Sequence, residues 1–122
     1  MVRRVIAFIL VSSVIIFYVD KQIAMSKHRD HLMRAEVFKD AFNRNVQAGA
    51  TIATVEEYLE RARVKWFASV SAFGTFTEIR MEVASGRSPD WRCRAESVGV
   101  IAKFKDDFLI ETAVAAWSDD CF

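Results

Sequence analysis

The sequence predicts an α+β protein: an N-terminal transmembrane helix, then two helices packed on a three- to four-stranded antiparallel sheet. Three observations carry that prediction. Residues 5–19 form an apolar run without a charge, the hydrophobic period changes from helical to two after Arg63, and the C-terminal residues are arranged symmetrically about Lys105-Asp106-Asp107. With 122 residues, the chain has room for one membrane segment and one domain with a single core. Hydrophobic residues make up 52%, with ten Phe and three Trp against four Gly and one Pro, which excludes a disordered chain. Seventeen Lys and Arg against sixteen Asp and Glu leave a net charge of +1 with no long run of either sign. The basic footprint of a nucleic-acid binder is absent.

The first element opens on Arg3 and Arg4 and runs through Val5, Ile6, Phe8, Ile9, Leu10, Val14, Ile15, Ile16 and Phe17, with no charge until Asp20. Its apolar positions reach only about 22 Å, against a hydrocarbon core of roughly 30 Å. The ends therefore complete the span: Arg3, Arg4 and Lys21 snorkel, Tyr18 suits the interface, and residues 23–25 continue the helix. Residues 17–21 offer no small side chains for signal-peptide cleavage, which favours an uncleaved anchor over residues 1–22. A soluble core helix would carry a polar face, and here only Ser12 and Ser13 interrupt the run.

Two signals oppose each other on orientation. Lys21, Lys27, Arg29 and Arg34 outnumber Arg3, Arg4 and the α-amino group, and that count places the domain in the cytoplasm. The very short basic N-terminus, which looks like a signal anchor, and the cysteines discussed below place it outside. We expect residues 23–122 to form an extracytoplasmic, periplasmic domain on a single-pass anchor.

Within that domain, Leu32, Ala35, Phe38, Phe42 and Val46 fall at steps of three and four, predicting a helix that continues the membrane segment and stops at Gly49. Thr54-Val55-Glu56-Glu57 has the form of a capping box and predicts a second helix from Thr54, with Val55, Tyr58, Leu59 and Ala62 facing inward. Val64, Trp66, Ala68 and Val70 then alternate with Lys65, Phe67, Ser69 and Ser71 up to a turn at Gly74, and Thr77, Ile79, Met81 and Val83 alternate again. Residues 84–90 read as a loop by composition, with Pro89 excluding a central strand.

Strands over residues 92–105 and 108–117 follow. A turn centred on Asp107 sets Lys103 opposite Glu111 and Arg94 opposite Asp120, two opposite-charge pairs that support the register. It also stacks Val98, Val100, Ala102 and Phe104 beside Ala116, Val114, Thr112 and Ile110 as the core face. The same register brings Cys93 opposite Cys121, within disulfide reach, and a disulfide requires an oxidising compartment. The other face of the hairpin, with Gly99, Ile101, Ala113, Ala115 and Trp117, is small and apolar where water should lie. Either the chain's own first strand or helix covers it, or a partner protein does, and Ile101, Ala113, Ala115 and Trp117 are the candidate partner surface.

Candidate chemistry is sparse. His28-Arg29-Asp30-His31 holds two imidazoles at i and i+3 without a third ligand, so a solvated helix face is preferred to a metal site. Asp106-Asp107 are turn residues at a hairpin tip rather than paired acids. There is no phosphate-binding Gly-rich loop, and no Ser or Cys nucleophile has a His in the sheet region. No catalytic residue, cofactor or small-molecule substrate is expected.

The segment from Val46 to Leu59, Val-Gln-Ala-Gly-Ala-Thr-Ile-Ala-Thr-Val-Glu-Glu-Tyr-Leu, with the later Phe104-Lys-Asp-Asp, resembles small envelope domains of the BamE/SmpA type. The resemblance covers about residues 40–115. It implies two helices on a three-stranded sheet and an accessory, non-enzymatic binding role in an envelope complex; unlike that family, this chain has no lipidated cysteine after its apolar run. Two function classes stand: a membrane-anchored protein-binding or accessory module of the envelope, or a small structural subunit that contacts a larger membrane complex mainly through its transmembrane helix.

Overall fold

A computed structural model of the protein describes residues 2–70 and 76–122, and among these the side chains of all but Phe76, Asp119 and Asp120. The turn expected at Gly74 lies outside the described residues. The element order is α1 (Val2–Asn45), α2 (Ile52–Ala62), β1 (Lys65–Val70), β2 (Phe76–Arg87), β3 (Cys93–Lys105) and β4 (Phe108–Cys121). The strands form one antiparallel meander in sequence order.

α1 is uninterrupted, so the anchor and the first domain helix are one element and the described chain has two helices, not an anchor followed by two more. Its predicted stripe faces the sheet: Ala35 and Phe42 are fully buried, Val46 just beyond the helix is buried, and Leu32 and Phe38 are half-buried. The helix ends as expected near Gly49, whose φ of +87° favours a residue without a Cβ.

α2 starts earlier than the capping-box reading. Thr51, not Thr54, is the N-cap: its backbone is extended, and its hydroxyl accepts from the Thr54 amide at 3.3 Å. The reason is tertiary. Thr51 bridges Phe108 of β4, while the Gly49 amide donates to the Leu109 carbonyl at 2.9 Å and the Leu109 amide to the Ala50 carbonyl at 2.8 Å. The chain is thus held on the sheet edge through residue 51 and can turn helical only afterwards. Glu57 pairs with Arg61 one turn on instead of reaching back to a cap. Val55 and Leu59 are fully buried as predicted, whereas Ala62 is exposed.

The core lies between the two helices and one face of the sheet, uniting Phe42, Val46, Val55 and Leu59 with Ile79, Met81, Val100, Ala102, Phe104 and Leu109. Phe42 meets Tyr58 edge-on at 5.5 Å and so joins α1 to α2. β1 contributes least. It is an edge strand whose only half-buried residue is Trp66, so its predicted alternation of buried and exposed side chains is not realised.

β2 extends through residues read as loop. Ala84, Ser85, Gly86 and Arg87 pair with Val98, Ser97, Glu96 and Ala95, and only residues 88–92 remain as the connection. A bulge between Glu82 and Ala84 breaks the period of two, and this is what hid the strand's second half. Gly99 lies beside that bulge. A Cβ there would come 1.7 Å from the Met81 carbonyl oxygen, so its smallness serves close backbone approach rather than an apolar surface.

The β3–β4 register matches the expectation from Cys93↔Cys121 to Lys103↔Glu111 and departs from it near the turn. Asp106 and Asp107 both have positive φ, 51° and 71°, as a two-residue hairpin turn requires, so Phe104 faces Leu109 rather than Ile110. The slip leaves Leu109 buried and Ile110 half exposed, correcting its placement in the core.

Candidate functional site

The first structural feature of functional weight is the exposed half of α1. The nine predicted anchor residues, Val5, Ile6, Phe8, Ile9, Leu10, Val14, Ile15, Ile16 and Phe17, are all exposed, from 52% for Ile6 to 74% for Phe8. None of them is buried, and the helix is long and apolar enough to cross a membrane. The Ser13 hydroxyl donates to the Ile9 carbonyl within the helix at 2.8 Å and is satisfied without a neighbour.

Where the apolar run ends, contact with the sheet begins. Asp20 accepts from both terminal nitrogens of Arg87, each at 2.7 Å, and Ala24 is already buried. The connection after Arg87 is a compact turn: the Asp90 amide donates to the Ser88 hydroxyl at 3.1 Å, and the Cys93 amide to the Asp90 carbonyl at 3.0 Å. Side-chain and then backbone hydrogen bonds from Arg92 hold the Asp90 carboxyl below its usual range, and the same side-chain bonds raise the Arg92 guanidinium. Cys93 and Cys121 are bonded across β3 and β4 with Cα atoms 4.0 Å apart. Arg94 and Asp120 fall between this pair and Ala95↔Asp119. A cleft of about 280 Å³ separates α1 from this end of the sheet, with Phe17 and Lys21 on one wall and Trp91 and Arg94 on the other.

Two turns further along α1 lies a contact that sequence reading assigned to solvent. His28 Nδ1 faces Glu96 Oε1 at 2.5 Å, and the Glu96 side chain is only 8% exposed. Neither atom makes a hydrogen bond among the described residues, so their approach to each other is the only polar contact found for these two buried atoms there. His31 packs on Gly86, where a Cβ would come 3.1 Å from its Cε1. Because Gly86 and Glu96 are register partners, both imidazoles sit over one row of the sheet. They are a helix-to-sheet joint, not a solvated face. Among the described residues no three His, Cys, Asp or Glu side chains are placed to hold a metal ion.

The candidate partner surface lies on the sheet face away from both helices. Ile101, Ala113, Ala115 and Trp117 are half-buried there, beside Ser97, whose hydroxyl donates to Glu82 at 2.8 Å. The expectation that the chain's own first strand or helix covers this face fails: β1 is two strands away at the sheet edge, and α1 and α2 pack on the opposite side. Arg80 reaches over instead, its guanidinium carbon 5.8 Å from the centre of the Trp117 ring. Phe67, Ser69, Arg80 and Trp117 enclose a shallow groove of about 430 Å³.

Against protein-family models, curated proteins and solved structures, the chain shows no match. Sequence reading missed Arg87, Trp91 and Glu96. The available signal was modest: a Trp flanked by Arg87 and Arg92 in a turn has the composition of a membrane-interface anchor. Glu96 carried no signal, since its neighbour His28 comes from an element 68 residues away.

Proposed function

We propose that this protein is a membrane-anchored envelope module that binds another protein and has no catalytic role of its own. The observation that carries the reading is the continuity of α1. One helix supplies both an exposed apolar half and a buried half of the domain core, so the sheet is held rigidly near the bilayer with no linker. Such a mount presents rather than reaches.

The face it presents is the outer face of β3 and β4, apolar at Ile101, Ala113 and Ala115 and bounded by Arg80 and Trp117. An aromatic and an arginine around a small apolar floor have the composition of a protein-interface core. The Cys93–Cys121 bond supports an oxidising compartment, hence an extracytoplasmic domain. The resemblance of Val46 to Leu59 to BamE/SmpA-type envelope domains implies the same accessory role.

A photoreactive residue placed at Ala113 or Ala115 of the full-length chain in its native membrane is expected to cross-link a second protein, and Trp117→Ala to weaken that adduct. Adducts formed only from Ser12 and Ser13 would overturn this reading in favour of a subunit held through its transmembrane helix.

A further inference from the structure

We infer that the turn between β2 and β3 lies in the headgroup layer of the same bilayer that α1 crosses, with Trp91 as its interfacial anchor. The inference rests on the reading of α1 as a membrane anchor. Its geometric basis is the height of the turn along the helix. Arg87 holds Asp20, the first charge after the apolar run, and the cleft beside that ion pair is shared by Phe17 and Trp91. Phe17 belongs to the apolar run itself. At 1.5 Å per residue it lies only about 4.5 Å below Asp20 along the axis, so a side chain sharing a cleft with Phe17 stands at the boundary where hydrocarbon gives way to headgroups.

The chemistry of the turn suits that layer. Trp91 is 77% exposed, a large apolar surface to leave in water, and its indole combines an apolar body with one N–H donor. The backbone amide of Phe122, itself 89% exposed, donates to the Arg92 carbonyl at 2.9 Å, placing a second exposed aromatic residue on the same edge. Two acids beside the turn are paired with arginines, Asp20 with Arg87 and Asp90 with Arg92. Lys21 and Arg94 line the cleft as further cations able to meet lipid phosphate.

The other end of the sheet lies away from that layer. Asp106 and Asp107 are exposed at the β3–β4 turn. Thr112 accompanies Asn43, 15 helix residues beyond His28 and its partner Glu96, a rise of about 22 Å away from the bilayer.

The test uses full-length protein in phosphatidylcholine nanodiscs whose acyl chains are brominated near the headgroup. Tryptophan emission is expected to be quenched relative to unbrominated discs, and Trp91→Phe to abolish the quenched component while Trp66→Phe and Trp117→Phe preserve it. Arg87→Gln, which frees the turn from Asp20, is expected to reduce the quenching. Chain that co-elutes with the discs yet shows no quenching dependent on Trp91 overturns this inference and leaves the anchor standing. Chain that fails to co-elute with the discs at all overturns both.

Discussion

In residues 2–19 of α1, apolar side chains point in every direction and stay exposed, whereas from residue 20 onward burial begins, along a single stripe marked by Ala24, Ala35 and Phe42. The backbone does not register the difference. Helical hydrogen bonds are satisfied within the segment, so a helix can pass from lipid to water without a break. The side chains alone differ: all-round apolarity, which suits hydrocarbon, in the first part, and a stripe of period 3.6 where one side meets the sheet in the second. The change between the two patterns falls at Asp20, where Arg87 ties the helix to the domain.

Mutations should divide along that boundary. The largest effect expected is from Phe42→Ala, which empties the centre of the core and should destabilise the domain by about 3–5 kcal/mol, measured by denaturant unfolding. Phe8→Ala in the exposed half should leave that measurement unchanged; equal losses from both would break the comparison.

Next in size is the disulfide. It closes a loop with a sequence separation of 28, and replacing Cys93 and Cys121 with Ser should cost about 3.5 kcal/mol by loss of the constraint on the unfolded chain. The unreduced protein should contain no free thiol, which labelling under denaturing conditions would check.

In the apolar half, Ile9→Asp should cost about 2.5–3.5 kcal/mol of membrane insertion and none of the domain's unfolding free energy. Glycosylation-site mapping in an insertion assay reads the first quantity. An unfolding midpoint shifted by this substitution would mean that the two halves are energetically one.

A smaller effect should follow at the joint. His28→Ala leaves the buried Glu96 carboxylate without its partner and should cost about 1–3 kcal/mol, whereas Arg29→Ala, on the exposed side of the same turn, should cost little. Thr51→Ala should remove about 1 kcal/mol by stripping the α2 cap. Thr54→Ala should cost less, since the Thr54 amide keeps its acceptor.

Sequence by itself determined the features that repeat with a regular period or obey pairwise symmetry. The apolar run of residues 5–19, the stripe through Ala35 and Phe42, and the register from Cys93↔Cys121 to Lys103↔Glu111 were legible because each is written in many residues that agree. The candidate partner surface was legible only as composition, since a small apolar strand face looks the same whether or not another element covers it. Tertiary structure decided the rest. Thr51 rather than Thr54 caps α2 because a bridge to Phe108 holds the chain extended until that point. β2 continues past Val83 because a bulge resets its alternation and Gly86 makes room for His31. Both helices pack on the Val98 and Val100 face rather than the Ile101 face, with Asp20, His28 and Asn43 of α1 each meeting a sheet residue along its length. Each of these choices depends on a few contacts between residues far apart in the chain, and such contacts leave no period for a sequence to show.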